Sequence, residues 1–214
     1  MDLYYFSLSP PCWSVLLLGR QLDVKFNMKP IDFFSKGHLK EDFIKLNPVH
    51  KVPTLQEGEF TLSESRAILS YLVEAHAQGS HPLYPNDAKA RALIQQQLNF
   101  DLGIFYHRIY DYCSPLWKSK TTGSEADRER LHEALGFLEA YLGRTRYVAG
   151  DGLTIADISM VASASVLVAC KFSLEKFPKV SAWYETCKKE LVGYQDVMGP
   201  AFEGFARFVG KPTH

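Results

Sequence analysis

The segment Ser9-Pro10-Pro11-Cys12 places a hydroxyl at the start of a predicted helix, directly after the apolar run at residues 3–6. Serine is favoured just before a helix, and proline is favoured in the first turn because its missing N–H costs nothing there. That turn also presents unpaired N–H groups and the positive end of the helix dipole, which stabilise an anionic sulfur. The segment therefore indicates a site that handles thiols, although Ser9 also fits an ordinary helix cap.

A second segment, Asn47-Pro48-Val49-His50-Lys51-Val52-Pro53, precedes a short predicted strand. An X–Pro bond that enters a strand can be held cis, which leaves the preceding N–H and C=O free to pair with an extended peptide. Val52 is that preceding residue. Taken by itself, Pro53 also fits a plain turn and His50 a loop histidine.

A third segment, Glu64-Ser65-Arg66-Ala67-Ile68, opens another predicted helix, for which Ser65 is expected to be the cap. The start of this helix can hold a carboxylate, and Glu64 can hold an amine. The pair therefore suits a zwitterionic peptide, although Glu64 alone also fits a solvated charge.

The elements that must position these residues change in character at Gln78-Gly79-Ser80-His81-Pro82, a turn-rich segment. Upstream, the pattern predicts strands at 3–6, 25–31, 54–55 and 60–62, and helices at 12–22, 41–46 and 65–75. Downstream, apolar residues recur at helical spacing, and Thr154-Ile155-Ala156-Asp157 matches a capping box that opens an apolar helix. We predict an α/β domain at 1–77, a linker at 78–87 and an all-helical domain at 88–214.

Composition excludes several classes of partner. The 24 basic and 24 acidic side chains give a formal net charge of zero, which disfavours nucleic acid and membrane surfaces as partners. The four cysteines form no C-x-x-C pair, and no N-x-[ST] site occurs, so a cytosolic protein with reduced thiols is expected. The seven histidines show no metal-ligand spacing, so no metal is expected.

Together, the three segments resemble the cytosolic glutathione transferases, most closely the insect Delta and Epsilon classes, with Delta slightly favoured. The resemblance covers essentially the whole chain and includes Gly37-His38-Leu39-Lys40, Asp101 and Leu153-Thr154-Ile155-Ala156-Asp157. It implies a thioredoxin-like domain with a mixed four-stranded sheet, followed by an all-helical domain, in a homodimer that binds glutathione as its co-substrate. It also implies that Ser9 donates a hydrogen bond to the glutathione thiolate.

By the same resemblance, the expected contacts to glutathione are His38, His50, Val52, Pro53, Glu64, Ser65 and Arg66. Asp101 is expected to reach the glutamyl end of the site from the neighbouring subunit, although an interface salt bridge with Arg66 fits equally well. The electrophile pocket is expected from residues that share one helix face and from two C-terminal aromatic residues: Tyr106, Tyr110, Ser114, Trp117, Phe205 and Phe208. Trp13 departs from these classes, which usually have a basic residue there.

The energetic demand on Ser9 is modest. Lowering a thiol pKa from about 8.5 to about 6.5 needs about 2.7 kcal/mol of preferential stabilisation of the thiolate. One hydrogen bond to a charged acceptor supplies about 1.5–3 kcal/mol, and a helix N-terminus adds about 0.3–1 kcal/mol. A glutathione transferase that attacks hydrophobic electrophiles is therefore feasible with one serine, with conjugation, peroxidase or dehydrochlorinase activity left open.

Other interpretations are a thiol reductase, an isomerase and a non-catalytic binder. Ser9-Pro10-Pro11-Cys12 has the spacing of C-P-x-C in glutaredoxin-type and Omega-type reductases, but serine replaces the leading nucleophile and Cys12 is expected to be buried and inert. A Zeta-type isomerase is expected to show Ser-Ser-Cys. A relative that only binds glutathione or hydrophobic ligands is disfavoured because the chain retains Ser9, His50, Glu64, Ser65 and Arg66.

Overall fold

The computed structural model describes residues 1–77 and 79–210. The first part of the chain builds one sheet from the strands β1 (Asp2–Tyr5), β2 (Asn27–Pro30), β3 (Thr54–Glu57) and β4 (Phe60–Ser63). The strand order is β2-β1-β3-β4, with β2 parallel to β1 and the other neighbouring pairs antiparallel. The predicted mixed four-stranded sheet is confirmed.

Three helices pack around this sheet: α1 (Pro10–Gln21), α2 (Glu41–Leu46) and α3 (Ser65–His76), with a 3₁₀ turn at Gly37–Leu39. Helix α1 begins at Pro10, as the segment Ser9-Pro10-Pro11 predicts, because both prolines accept helical geometry in the first turn. Strand β2 is shorter than the predicted 25–31, because its pairing with the four-residue β1 begins at Asn27 opposite Asp2.

The second part of the chain is helical, as predicted. Its helices are α4 (Ala88–Phe100), α5 (Tyr106–Lys118), α6 (Glu125–Tyr141), α7 (Ile155–Ala169), α8 (Pro178–Glu190) and α9 (Tyr194–Gly210). A π-helical turn at Asp101–Phe105 joins α4 to α5 without a break in the helical path. Such turns are rare, and no sequence pattern pointed to this one.

Helix α7 joins the two parts of the fold. Every residue from Ile155 to Leu167 is buried, and the helix contacts α1 in the first domain as well as α4, α5 and α8. The predicted capping box is present, because Asp157 Oδ2 accepts hydrogen bonds from the N–H and the hydroxyl of Thr154 at 2.9 and 2.8 Å. Among the helices of residues 1–77 and 79–210, we find none with the length and apolarity needed to span a bilayer.

Candidate active site

A cavity of about 730 Å³ lies between the two domains. One wall comes from the loops that follow β1 and precede β3, together with the start of α3. The opposite wall comes from α5 and α9. Most of the residues predicted from the sequence line it: Ser9, Val52, Pro53, Glu64, Ser65, Arg66, Tyr106, Tyr110, Trp117, Phe205 and Phe208.

Ser9 precedes the first turn of α1 with extended backbone angles, φ −97° and ψ 112°. Its carbonyl accepts hydrogen bonds from the N–H groups of Cys12 and Trp13 at 2.9 and 3.1 Å. Its hydroxyl makes no capping bond to the helix backbone, so the cap interpretation of this side chain is wrong. Ser9 lines the cavity beside the positive end of the α1 dipole.

Cys12 is fully buried beneath Ser9, as the sequence predicted. Burial raises the pKa of its thiol to about 12, although hydrogen bonds from the Ser9 hydroxyl and the Phe6 backbone oppose this. A thiol that stays protonated at neutral pH is a poor nucleophile and a weak hydrogen-bond acceptor. Cys12 therefore neither attacks a substrate nor competes strongly for the Ser9 hydroxyl.

Trp13 replaces the basic residue that the resemblance leads one to expect. Its side chain is 1% exposed, and its Nε1 donates a 2.7 Å hydrogen bond to the carbonyl of Ser7. This bond ties α1 to the turn that carries Ser9. Trp13 thus anchors the turn through a hydrogen bond from its indole N–H to a carbonyl of the same domain.

The loop before β3 presents Val52 to the cavity through a cis Val52–Pro53 peptide bond. Asn47 fixes the loop, because its Nδ2 donates to the Lys51 carbonyl at 3.0 Å and to Thr54 Oγ1 at 2.9 Å. Within the described residues, the N–H and C=O of Val52 have no hydrogen-bond partner. They are free to pair with an extended backbone.

The start of α3 differs from the prediction in one respect. Ser65 is the first helical residue and not the cap, because Glu64 takes the cap position with φ +67° and ψ 106°. A positive φ at a non-glycine residue costs about 1–3 kcal/mol and is characteristic of functional sites. Within the described residues, the Glu64 carboxylate has no ion-pair partner, so it faces the cavity as an uncompensated charge.

Asp101 corrects a second expectation. It is fully buried, and its Oδ2 lies 2.6 Å from Arg66 Nη2 and accepts a 2.6 Å hydrogen bond from Ser159. Asp101 is therefore enclosed within its own subunit and does not reach a neighbouring site. The Arg66–Asp101 pair forms within one chain, between the start of α3 and the π-helical turn.

Three other predicted residues lie off the cavity wall. The ring of His38 stacks on Phe33 with centroids 4.3 Å apart, and lies 6.2 Å from the ring of His50. His50 is exposed in a left-handed turn with φ +46°. Ser114 is buried and does not line the cavity, although it lies three residues before Trp117 and was predicted to share its helix face. The structure thus separates these side chains from the cavity surface.

An aromatic wall defines the apolar half of the cavity. Along α5, the rings of Tyr106 and Tyr110 are 6.5 Å apart, and those of Tyr110 and Trp117 are 5.9 Å apart. Phe205 meets Trp117 edge to face at 5.3 Å. Burial raises the pKa of the Tyr106 phenol, so the hydroxyl stays protonated and can only be neutral there.

Comparison with known proteins decides the family. The glutathione S-transferase N-terminal domain model matches residues 1–74, and the C-terminal domain model matches residues 101–190. Glutathione S-transferase D7 of Anopheles gambiae is 41% identical over 192 residues, or 90% of this chain and 88% of that protein. The chain belongs to the glutathione S-transferase family.

Solved structures of other transferases agree with this assignment. A delta-class glutathione transferase of Nilaparvata lugens superposes with a TM-score of 0.92 at 38% identity, covering 97% of both chains. A glutathione transferase homologue of Drosophila mojavensis, solved with bound glutathione, gives a TM-score of 0.88 at 31% identity, covering 97% of this chain and 95% of that one. The predicted fold class and transferase identity are confirmed.

Sequence analysis missed part of this transferase's cavity. Phe33 and Phe34 follow β2 and line the side opposite α5, and Phe34 meets Phe208 of α9 at 5.6 Å. Lys51 also lies on the wall, between the predicted contacts His50 and Val52. The available signal in the sequence was this pair of adjacent phenylalanines in a segment with no strand or helix pattern. Because no regular element directs such side chains into a core, they are candidates for a binding surface.

Proposed function

We propose that this transferase binds glutathione beside Ser9 and directs its thiolate at hydrophobic electrophiles held against the aromatic wall. The observation that carries the proposal is the position of Ser9, which lines the cavity at the N-terminus of α1 and whose hydroxyl makes no cap bond. A hydrogen bond from that hydroxyl to sulfur stabilises the thiolate relative to the thiol. Ser9 keeps its own proton throughout.

The peptide half of the cavity has groups that complement glutathione. The unpaired backbone groups of Val52 would pair with the cysteinyl residue. Glu64 would hold the α-amino group, and the first turn of α3 at Ser65 and Arg66 would hold the α-carboxylate. These contacts would leave the cysteinyl sulfur directed at Ser9, between the peptide half and the aromatic wall.

The reaction then needs no group beyond these. The thiol proton of glutathione leaves to solvent, and the sulfur lone pair forms a bond to the electrophilic carbon. With an aromatic or aliphatic halide, the carbon–halogen bond breaks and the halide departs with its electron pair. Tyr106, Tyr110, Trp117 and Phe205 would bind the apolar body of the acceptor beside the sulfur. Conjugation of this kind fits a role in detoxification.

Turnover with glutathione and a panel of aromatic halides, hydroperoxides and organochlorines tests the proposal. We expect conjugation of at least one acceptor, and we expect Ser9→Ala to lower turnover by roughly 10²–10³, the usual effect of removing one donor to an anion. Glutathione binding without turnover of any acceptor would favour the non-catalytic relative instead. Reduction of mixed disulfides that depends on Cys12 would favour the thiol reductase.

We also propose that the protein works as a homodimer in the cytosol. The surface of the described residues carries large apolar side chains, among them Phe60, Leu93 and Phe137, which are 46%, 48% and 41% exposed. Apolar side chains that form a contiguous patch are typical of an interface. Sedimentation velocity on the 24.3 kDa chain tests the assembly, and cell fractionation tests the location. A single species of monomer mass at micromolar concentration would refute the dimer.

A further inference from the structure

Two of the four cysteines lie side by side in the helical domain. Cys113 is a fully buried residue of α5, and Cys170 is the half-buried residue that caps the C-terminus of α7. Their side chains share a hydrogen bond, and both sulfurs are free thiols. The pair is therefore in contact without being covalently linked.

Packing around the pair holds the two thiols together. Tyr112, next to Cys113 in α5, meets Phe172 edge to face with ring centroids 5.5 Å apart. Phe172 in turn donates its N–H to the Leu167 carbonyl at 2.9 Å, which closes the turn around Cys170. These contacts involve neither sulfur, so the proximity of the thiols does not depend on the hydrogen bond between them.

The two thiols differ in their access to solvent. Cys170 is partly exposed at the end of α7, so a small oxidant from solvent reaches its sulfur first. The hydrogen bond to Cys170 and burial raise the pKa of the Cys113 thiol, which therefore stays protonated at neutral pH. Because susceptibility to oxidation follows exposure and thiolate character, Cys170 fits the attacking position and Cys113 the position of a resolving thiol.

We propose that Cys113 and Cys170 form a disulfide when the protein meets a hydroperoxide, and that Cys113 thereby protects Cys170 from irreversible oxidation. The Cys170 sulfur attacks one peroxide oxygen, the O–O bond breaks, and the departing alkoxide takes the Cys170 proton, which leaves a sulfenic acid. The Cys113 sulfur then attacks the Cys170 sulfur, the S–O bond breaks, and hydroxide leaves with the Cys113 proton as water. Two thiols and one hydroperoxide thus give one disulfide, one alcohol and one water.

This site is separate from the conjugation chemistry proposed above. Neither Cys113 nor Cys170 lines the cavity, and the reaction uses neither Ser9 nor bound glutathione. The other two cysteines provide an internal reference, because Cys12 on α1 and Cys187 on α8 are both fully buried. A specific link must therefore join Cys113 to Cys170 and leave the other two as thiols.

Peptide mapping of the whole protein tests the proposal. The native protein is treated with hydrogen peroxide, the remaining thiols are alkylated with iodoacetamide in denaturant, and the chain is digested with trypsin without reductant. Cleavage after Lys and Arg puts Cys113 alone in the peptide 109–118 and Cys170 alone in the peptide 147–171. The expected product is a linked pair of these peptides, lighter than their sum by two hydrogens and separated by dithiothreitol.

Three variants distinguish this pair from unspecific oxidation. Cys187→Ser is the matched control, since it removes a buried cysteine outside the pair, and it should form the link as the parent does. In Cys113→Ala, the sulfenic acid of Cys170 should accumulate, react with dimedone and proceed to sulfinic acid. In Cys170→Ser, Cys113 should keep its thiol and be alkylated in denaturant.

Absence of the linked peptides from the peroxide-treated parent would overturn the proposal, as would links through Cys12 or Cys187 at comparable yield. Oxidation of Cys170 to sulfinic acid at the same rate in the parent and in Cys113→Ala would also overturn it, because Cys113 would then offer no protection. The map of the parent needs no substitution, so it decides the question of the link even where a variant fails to fold.

Discussion

Arg66 and Asp101 connect the two domains beside the cavity. Arg66 Nη2, at the start of α3, lies 2.6 Å from Asp101 Oδ2 in the π-helical turn, and the same oxygen accepts the hydroxyl of Ser159 on α7. The Asp101 side chain is fully buried and that of Arg66 is 11% exposed. One carboxylate thus holds a cavity-lining guanidinium and joins the two domains.

Replacement of Asp101 by asparagine tests this connection. Removal of one charge from a buried pair leaves the other uncompensated, which costs about 3–5 kcal/mol. We expect Asp101→Asn to lower the free energy of unfolding by that order and to raise the KM for glutathione, because Arg66 loses its anchor. Urea denaturation and steady-state kinetics measure the two effects.

The matched control is Glu133→Gln, since Glu133 is 57% exposed and pairs with Arg108 at 2.6 Å. An exposed pair contributes about 0–1 kcal/mol, so this variant should be close to the parent in stability and in KM. If Asp101→Asn costs no more than Glu133→Gln, the buried pair is not the link between the domains.

Two capping boxes provide a second comparison. Asp157 is fully buried and accepts four hydrogen bonds, two from Thr154 and one each from the Val148 N–H and Trp183 Nε1. Asn has a single acceptor oxygen, and its amide N–H donors would face some of the N–H and O–H donors that now bond to the Asp157 carboxylate. We expect Asp157→Asn to cost about 3 kcal/mol or more, since each bond to a charged acceptor contributes about 1.5–3 kcal/mol.

The exposed box at Ser124 and Asp127 on α6 serves as the reference. Asp127→Asn should cost about 1 kcal/mol, the ordinary contribution of a cap. Thermal and urea unfolding of both variants measure the difference. Equal costs at the two sites would mean that burial and the extra partners of Asp157 add nothing to its cap.

Sequence patterns predicted the sheet, the helical domain and the Thr154 box because each depends on local spacing: apolar alternation, helical periodicity and a four-residue cap. The positions of Ser9 and Val52 on the cavity wall could also be predicted from the sequence, since both residues precede prolines. Asp101 was placed wrongly because its burial depends on a π-helical turn that has no local signature and on Ser159, which is distant in the sequence. Long-range packing of that kind is absent from single-sequence patterns.

Cys12 gives a prediction about chemistry that should not occur. Its thiol is fully buried, with a pKa raised to about 12, so it stays protonated across the neutral range. We expect Cys12→Ala to retain most of the conjugating activity and native Cys12 to resist thiol reagents at pH 8. Kinetic assays and mass spectrometry after labelling check both points. A loss of activity as large as that of Ser9→Ala would assign the chemistry to Cys12.

Phe205 gives a prediction about acceptor binding. It lines the cavity and meets Trp117 edge to face at 5.3 Å, a contact that contributes about 0.5–1.5 kcal/mol beyond area burial. Phe205→Ala should raise the KM for an aromatic acceptor severalfold and leave the KM for glutathione nearly unchanged. Phe202→Ala is the control, because Phe202 is on the same helix but packs against the core off the wall. An equal rise of both KM values in Phe205→Ala would contradict an acceptor role.

The ultraviolet thiolate band of bound glutathione, titrated against pH, is the most direct test of the central claim that the Ser9 hydroxyl stabilises the thiolate. In the parent protein, the midpoint should lie below the value of about 8.5 for a free thiol. In Ser9→Ala, it should rise toward that value by about 1–2 units, since one bond to a charged acceptor contributes about 1.5–3 kcal/mol. A Ser9→Ala titration that coincides with that of the parent would contradict the claim.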